Sequence, residues 1–155
     1  MTDKYDEIYC YDGTDVLINK QNIKSKNKLA SYEKSIVAIK LMALNKEGIT
    51  GNFDLEHFLS IHQFLFEDIY PFAGQLRRAN ISKDYFQFAT WEYIEPELKR
   101  LLNDLKKENY LENIPKADLA KRLAFYWSEI NVLHPFREGN RKNNSRIYKT
   151  TCFKK

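Results

Sequence analysis

The sequence predicts an all-α protein with one short β-hairpin, on three observations. Apolar residues recur every three or four positions in four separate stretches, which is the spacing of one face of a helix. The segment ISKDYFQF (81–88) is instead rich in aromatic and β-branched residues, which favours a hairpin. The chain has 155 residues without an internal repeat or a low-complexity linker, so the helices are expected to share one core.

The N-terminal part is expected to be an irregular arm followed by the first helix. The arm covers residues 1–27 and turns at DGTD (12–15). The first helix is predicted over 28–46, and it ends where NKEGITGN (45–52) introduces two glycines. Its apolar face consists of Leu29, Tyr32, Ile36, Ile39 and Ala43.

Three further helices are predicted, over 54–69, 91–108 and 116–133. Pro96 fits best in the first turn of a helix, which leaves the start of the 91–108 helix undetermined. The apolar faces of the three helices hold Leu55, Phe58, His62, Leu65, Phe66 and Ile69; Ile94, Leu98, Leu101, Leu102 and Leu105; and Leu119, Leu123, Tyr126, Trp127, Ile130 and Leu133.

Composition and charge argue against several classes of protein. No run approaches the roughly 18 apolar residues of a membrane span, and the acidic N-terminus does not resemble a signal peptide. Cys10 and Cys152 are therefore expected to be free thiols in a cytoplasmic protein. The net charge of +4 comes wholly from residues 141–155, which carry six basic and no acidic side chains. The rest of the chain lacks the basic excess that binding to nucleic acid requires, so neither a membrane nor a nucleic acid is an expected partner.

Two of the three histidines are expected to have structural roles. His62 lies on an apolar helix face and is predicted to be a hydrogen-bonded core residue, whereas His57 is predicted to face solvent. The two are five positions apart, which does not place two metal ligands on one helix face. Neither cysteine has a partner at zinc-ligand spacing, and no GxGxxG or Walker-type loop occurs.

The third histidine opens the segment HPFREGN (134–140), which combines three kinds of chemistry. His134 closes an amphipathic helix and is a candidate general base near neutral pH. Glu138 offers a carboxylate oxygen to Mg²⁺, and Gly139 with Asn140 allows backbone N–H groups to turn toward an anion. This order suits transfer of a nucleotidyl or phosphoryl group to a hydroxyl. A simple helix-ending turn, with His134 as a polar cap, explains the spacing equally well.

Several segments together resemble the Fic family of protein adenylyltransferases. HPFREGN is similar to the start of the family motif, which reads HPFx(D/E)GNGRxxR. The helix and turn that precede the family's flap resemble residues 51–77, GNFDLEHFLSIHQFLFEDIYPFAGQLR. The flap and the helix after it resemble residues 80–98, NISKDYFQFATWEYIEPEL. The arm and first helix (11–41) resemble those of Fic toxins that are paired with a separate antitoxin. The resemblance implies a Fic fold over residues 28–140, which would be a helical bundle with a hairpin flap. It also implies transfer of AMP from ATP, with Mg²⁺, to a Ser, Thr or Tyr hydroxyl of a target protein.

The resemblance also implies roles for individual residues. His134 would take the proton from the target hydroxyl, and Glu138 would hold Mg²⁺. ATP would be bound by the loop and by the corner of the flap, through Phe136 (as the buried anchor of the loop), Arg137, Gly139, Asn140, Lys83 and Asp84. The flap strand would hold the target in extended form by strand addition; its residues are Phe86, Gln87 and Phe88. Core packing is the alternative role for the two phenylalanines.

The match ends after Asn140. Where the family has Gly-Arg, this chain has Arg141 and Lys142, and a lysine cannot reproduce the planar fork of an arginine. One extra nucleotide would explain the change: removing one base from a back-translation of residues 141–155 and reading on gives GRTTAEFIRQLALK, which restores Gly-Arg in register. These residues are therefore interpreted as an aberrant basic tail, truncated or out of frame, and the chain as it stands is expected to have little or no activity.

Two other functions stay open at this point. In Doc-like protein kinases, which belong to the same superfamily, a basic residue stands where Arg141 stands here. A remnant without catalysis could still bind an antitoxin. The family's antitoxins carry an inhibitory helix with a Ser/Thr-x-x-x-Glu motif, which this chain lacks, so a separate small antitoxin is the implied regulator. Fic toxins often modify DNA topoisomerase subunits, so the resemblance implies such subunits as candidate targets.

Overall fold

Four helices and one hairpin form the architecture of the described residues. The computed structural model describes residues 6–83 and 85–140. Its helices are α1 (Lys26–Glu47), α2 (Leu55–Phe66), α3 (Trp91–Lys107) and α4 (Lys116–Leu133), and its hairpin pairs β1 (Ser82–Lys83) with β2 (Phe86–Gln87). Short 3-10 turns cover Asp6–Tyr9 and Asn109–Leu111. The predicted all-α class with a single hairpin is confirmed.

The segment before α1 is irregular but tied to the body of the protein. Cys10 and Leu17 form an isolated antiparallel bridge, and both are buried. The side-chain amide of Asn19 donates to the carbonyl oxygens of Leu17 and Ile23, at 3.0 and 2.8 Å. The backbone N–H of Lys20 donates to the carbonyl oxygen of Ile69 at 2.8 Å. These hydrogen bonds give partners to backbone N–H and C=O groups that do not lie in a helix or a strand.

The core is centred on α2, which is the most apolar of the helices. Its start is capped by Asp54, whose side chain accepts a hydrogen bond from the backbone N–H of His57 at 3.0 Å. Its last residues, Leu65 and Phe66, are fully buried. Helix α1 is held to the end of α2 by Lys40, which pairs with Glu67 and Asp68 at 2.8 and 2.9 Å.

Helices α3 and α4 pack against each other, and α3 also packs against α2. Helix α3 begins at Trp91, so Pro96 lies in its second turn instead of the first. The missing N–H of Pro96 leaves one backbone carbonyl without a helical partner, and the helix continues because Ile94 and Leu98 on either side are fully buried. Glu108, just after α3, accepts hydrogen bonds from Arg122 and from the Tyr126 hydroxyl of α4.

Residues 141–155 lie outside the described residues, so the interpretation of this segment as an aberrant tail stays a prediction from the sequence. Within the described part of the chain, no helix combines the length and the apolar character needed to cross a bilayer.

Shortening Leu98 to alanine tests the core between α3 and its neighbours. Leu98 is fully buried, and Leu98→Ala is expected to lower the free energy of unfolding by about 3 kcal/mol through lost transfer energy and a cavity. Urea unfolding measures the change. The matched control Asn103→Ala alters an exposed residue of the same helix and is expected to change stability by less than about 0.5 kcal/mol. Equal effects of the two changes would contradict this packing.

Candidate active site

The site begins where α4 ends. His134 adopts a left-handed conformation, with φ 47° and ψ 63°, and its backbone N–H still donates to the carbonyl oxygen of Ile130 at 3.0 Å. Pro135 follows and cannot extend the helix. A left-handed residue is a common way to end a helix, although glycine or asparagine usually occupies it. A histidine there turns the chain sharply and starts the loop of residues 134–140.

The imidazole of His134 lies between the loop and the hairpin. Its ring stacks on Phe88, with ring centroids 4.0 Å apart. Its Nδ1 atom is buried and has no hydrogen-bond partner among the described residues. Burial lowers the pKa of His134 to about 4, and the positive charges of Arg77, Arg137 and Lys83 act in the same direction. The carbonyl of Asn131 opposes the shift without reversing it, so His134 is neutral at pH 7.

The loop is anchored by Phe136 and closed by Asn140. Phe136 is fully buried, and its ring lies flat against His62 at a centroid distance of 3.7 Å. The predicted anchor role of Phe136 agrees with this burial, which leaves only its backbone for contact with a ligand. The side chain of Asn140 accepts from the N–H of Phe136 and donates to its carbonyl oxygen, each at 2.8 Å. The Asn140 side chain thus fixes the shape of the loop.

Gly139 sits in a position that a side chain cannot occupy. Its φ is 81°, and a Cβ atom would lie 2.3 Å from the Cε2 and Cζ atoms of Phe66. The backbone therefore runs directly over the Phe66 ring. The N–H of Gly139 donates to Oε1 of the half-buried Glu138 at 2.9 Å. This contact keeps the Glu138 carboxylate folded back along the loop.

His62 joins the loop to the turn that follows α2. The N–H of Gly74 donates to Nδ1 of His62 at 2.9 Å, so the proton of the neutral ring is on Nε2, which donates to the carbonyl oxygen of Glu138 at 2.9 Å. Burial lowers the pKa of His62 to about 4. The prediction of a hydrogen-bonded core histidine is confirmed.

The prediction that His57 faces solvent is wrong. The side chain of His57 is 5% exposed. Its Nδ1 accepts from the N–H of Phe53 at 3.2 Å, and its Nε2 pairs with the carbonyl oxygen of Ile49 at 2.9 Å. The chain between α1 and α2 folds over the start of α2 and covers the ring. Helical periodicity alone does not reveal this cover, because it comes from a loop.

The hairpin stands beside His134. Ser82 pairs with Gln87 and Lys83 with Phe86. Lys83 and Gln87 are exposed, and Phe86 is 52% exposed, so its alternative role in the core is excluded. Phe88 is half-buried against His134. Asp84, predicted to contact the nucleotide, lies outside the described residues.

Arg77 is a site residue that the sequence analysis missed. It is 1% exposed, and its Nε donates to the carbonyl oxygen of His134 at 2.7 Å. The segment AGQLR (73–77) pointed to a turn, but nothing in it indicated a contact 57 positions away. A buried arginine has few alternatives to backbone carbonyls when no carboxylate is near.

The side chains of the loop can hold a magnesium ion only if other molecules supply most of its ligands. Among residues 6–83 and 85–140, no three carboxylate, histidine or cysteine side chains gather as a metal site. Glu138 alone supplies a carboxylate in the loop. Mg²⁺ is often held by one or two carboxylates while phosphates of the substrate and water complete its shell. The residues present therefore fit an ion that arrives together with a nucleotide.

Comparison with known proteins shows the family. The Fic/DOC family profile matches residues 52–142. The chain is 37% identical over 143 residues to the probable protein adenylyltransferase Fic of Escherichia coli, covering 90% of this chain and 70% of that protein. It is 36% identical over 127 residues to the protein adenylyltransferase VbhT of Bartonella schoenbuchensis, covering 82% of this chain and 27% of that protein. The chain belongs to the Fic/DOC family.

A solved structure agrees with this assignment. The BepC protein of Bartonella tribocorum, a VirB-translocated effector crystallised with bound AMPPNP, superposes with a TM-score of 0.85 at 26% identity. The alignment covers 96% of this chain and 78% of that one. The helices, the hairpin and the loop described above are thus those of a Fic domain.

The low pKa of His62 predicts an acid-sensitive fold. A histidine with a pKa near 6.5 when unfolded and about 4 when folded contributes its full stability above pH 6.5 and loses it as pH falls toward 4. This residue alone is expected to remove about 2 kcal/mol between pH 7.5 and pH 5. Urea unfolding at both pH values measures the loss of stability. In His62→Gln this loss is expected to be smaller than in the wild type by about 2 kcal/mol, because glutamine does not titrate. An equal loss in the variant would contradict the assignment.

The contact between Gly139 and Phe66 predicts a large effect of one methyl group. Gly139→Ala combines a strained φ with a clash against a buried ring, and is expected to lower the free energy of unfolding by roughly 2–4 kcal/mol. Gly13→Ala is the matched control, since Gly13 has a φ of 67° and no atom within 4 Å of an added Cβ. The control should lose only about 1 kcal/mol. Similar losses would mean that strain alone, and not the ring, constrains the loop.

Proposed function

We propose that this chain carries the active site of a protein adenylyltransferase, which moves AMP from ATP to a Ser, Thr or Tyr hydroxyl of a target protein. One observation carries the proposal: a neutral, half-buried His134 opens the loop of residues 134–140 and stacks on Phe88, beside the exposed hairpin. The names of the adenylyltransferase relatives and the AMPPNP bound to a structural relative point the same way.

His134 acts as the general base in this proposal. A pKa of about 4 keeps the imidazole unprotonated at pH 7, so it can accept a proton. Because Nδ1 is buried, we assign this role to Nε2. As the hydroxyl proton passes to Nε2, the hydroxyl oxygen bonds to the α-phosphorus. The bond from the α-phosphorus to the oxygen that bridges it to the β-phosphorus breaks, and pyrophosphate leaves.

The charge around His134 suits a triphosphate. Lys83 and Arg137, which belong to different elements, both act electrostatically on the imidazole. Such a concentration of positive charge favours an anionic ligand. The backbone at Gly139 and Asn140 would contact the phosphates, and the buried Phe136 would hold that backbone in place. Glu138 would hold Mg²⁺, which when bound neutralises charge on the phosphate oxygens.

The hairpin suits a protein target. Its two strands are short and exposed, so an extended segment of another protein could add alongside them through backbone hydrogen bonds. Phe86 and Gln87 would contact the side chains of that segment, while Phe88 would hold the strand against His134. This arrangement would bring a hydroxyl on the added segment to the imidazole.

The biological setting follows from resemblance to relatives. We propose a cytoplasmic toxin that is controlled by a separate small antitoxin with an inhibitory helix, and we propose DNA topoisomerase subunits as the first targets to assay. Co-expression with small neighbouring open reading frames tests the antitoxin: a partner that co-purifies and blocks AMP transfer is the expected result.

Labelled ATP distinguishes adenylyl from phosphoryl transfer. The chain as it stands is expected to transfer label slowly, and the label that reaches a purified topoisomerase subunit is expected to come from ATP labelled at the α-phosphate and not from ATP labelled at the γ-phosphate. In the variant with Arg141→Gly and Lys142→Arg, which restores the order Gly-Arg of the family motif, the further change His134→Ala should reduce transfer at least a hundredfold, because the proton then has no acceptor. The control Ser128→Ala changes an exposed residue of α4 and should leave the rate within twofold. Label from the γ-phosphate alone would instead assign a Doc-like kinase.

The residues after Asn140 provide a second arm of this experiment. The double variant Arg141→Gly with Lys142→Arg restores the order Gly-Arg of the family motif. Because a slow rate is expected of the chain as it stands, the restored variant should transfer AMP faster. A restored variant without transfer, in a protein that still binds the antitoxin, would favour the role of a non-catalytic remnant.

A further inference from the structure

Arg77 occupies an unusual position for a charged residue. It ends the turn that follows α2, immediately before the chain enters the hairpin, and its side chain is among the largest that are fully buried. In the part of the chain that the structure describes, no carboxylate pairs with it; its hydrogen bonds go to backbone carbonyls. Burial lowers the pKa of Arg77 to about 10, so the guanidinium is still charged at neutral pH.

The guanidinium bonds to two separate parts of the site. On the hairpin side, Nη1 donates to the carbonyl oxygen of Ala79 and Nη2 to that of Ala89, each at 2.5 Å. On the helix side, Nη2 also donates to the carbonyl oxygen of Leu133 at 3.0 Å, and Nε donates to that of His134 at 2.7 Å. Ala79 and Ala89 flank the hairpin at its two ends. One planar group therefore contacts both ends of the hairpin and the last turn of α4.

These bonds are difficult to break singly. Each carbonyl loses its hydration in this buried place, and a buried polar group without a partner costs about 1–3 kcal/mol. A buried cation that loses its partners costs more. Bonds to a charged donor are also stronger than neutral ones. Separating the hairpin from α4 would leave both the cation and the carbonyls unsatisfied, so the two parts are expected to move as one.

Backbone contacts extend the connection on both sides of the guanidinium. The N–H of Arg77 donates to the carbonyl oxygen of Pro135 at 2.9 Å, and the N–H of Ala89 donates to that of Val132 at 3.2 Å. The residue before Ala89 is Phe88, whose ring stacks on His134. The position of this ring thus depends on how the base of the hairpin is held.

We propose that Arg77 is a positioning residue that locks the hairpin to the C-terminus of α4 and thereby sets the distance between the hairpin edge and the imidazole of His134. It touches neither substrate nor reacting atoms. Its consequence for catalysis rests on the proposed function: a target strand on the hairpin would meet the base at a distance fixed by this one side chain. Misplacement of reacting groups by about 1 Å can cost about a hundredfold in rate.

The ring stack between Phe88 and His134 supplies a spectroscopic test in the full-length chain. The C–H protons of the His134 ring should be displaced upfield by the ring current of Phe88, and the chain has three histidines, so the signals can be assigned. Phe88→Leu defines the chemical shift without the stack. Arg77→Lys keeps the charge but cannot bond to four carbonyls. Its His134 signals are expected to move at least halfway toward those of Phe88→Leu at pH 7.5.

The matched control is Arg78→Lys. Arg78 is exposed, and the hydrogen bond recorded for it is made by its backbone N–H to the Tyr9 hydroxyl. Its His134 signals should stay at the wild-type positions. A folded Arg77→Lys variant that keeps the wild-type His134 signals would overturn the proposal. Because this test needs neither nucleotide nor target, its failure leaves the proposed AMP transfer untouched, and an inactive chain leaves the test valid.

Hydrogen exchange in the unmodified protein covers the case in which Arg77→Lys does not fold. If the hairpin base and the helix end open as one unit, the backbone amides of Ala89 and Arg77 should have protection factors within tenfold of that of His134. These three amides donate to Val132, Pro135 and Ile130 respectively. If the amide of Ala89 or of Arg77 exchanges more than tenfold faster than the amide of His134, the two parts open separately and the proposal is overturned.

Discussion

The site depends on one constraint, which is that the loop carrying His134 and Glu138 is packed into the core through Phe136, Gly139 and Asn140. Phe136 packs against Phe58 and His62 of α2, and Gly139 passes over the ring of Phe66. The loop therefore has little freedom to relax, because either movement would open a cavity or create a clash. His134 and Glu138 lie two positions before and after Phe136, so the packing of Phe136 in the core fixes the positions of both. A loop of this kind is rigid because it is also a piece of the hydrophobic core.

Two side chains, those of His62 and Arg77, connect the turn after α2 to the loop. Through Gly74 and His62 the turn reaches the carbonyl of Glu138, and through Arg77 it reaches the carbonyl of His134. Both connections end on backbone atoms. They leave the side chains of His134 and Glu138 available while fixing the peptide groups that carry them. Positioning by backbone contacts also tolerates changes in the neighbouring side chains, whereas the two residues that make the contacts are not replaceable by simple isosteres.

How far the sequence predicts this structure depends on the range of each interaction. The four helices and the hairpin follow from local periodicity and composition, and their bounds agree within a few residues. The roles of His62 and Phe136 as core residues follow from their place on apolar faces and in a recognisable motif. Arg77 and His57 were not predicted correctly, because their partners come from other segments. Local patterns carry no information about a carbonyl 57 positions away or about a loop that folds over a helix start.

Under the proposed function, a bound nucleotide would change the pKa of His134. Three cations, Arg77, Arg137 and Lys83, contribute to the lowering after burial. Arg77 is committed to carbonyls and keeps its charge in place, but the other two belong to elements that line the space proposed for the nucleotide. An anionic triphosphate beside them would offset their charge and raise the pKa of the imidazole. Under the proposed function, a bound triphosphate would therefore make the imidazole a stronger base than it is without nucleotide, while the burial that contributes most to the low pKa would stay.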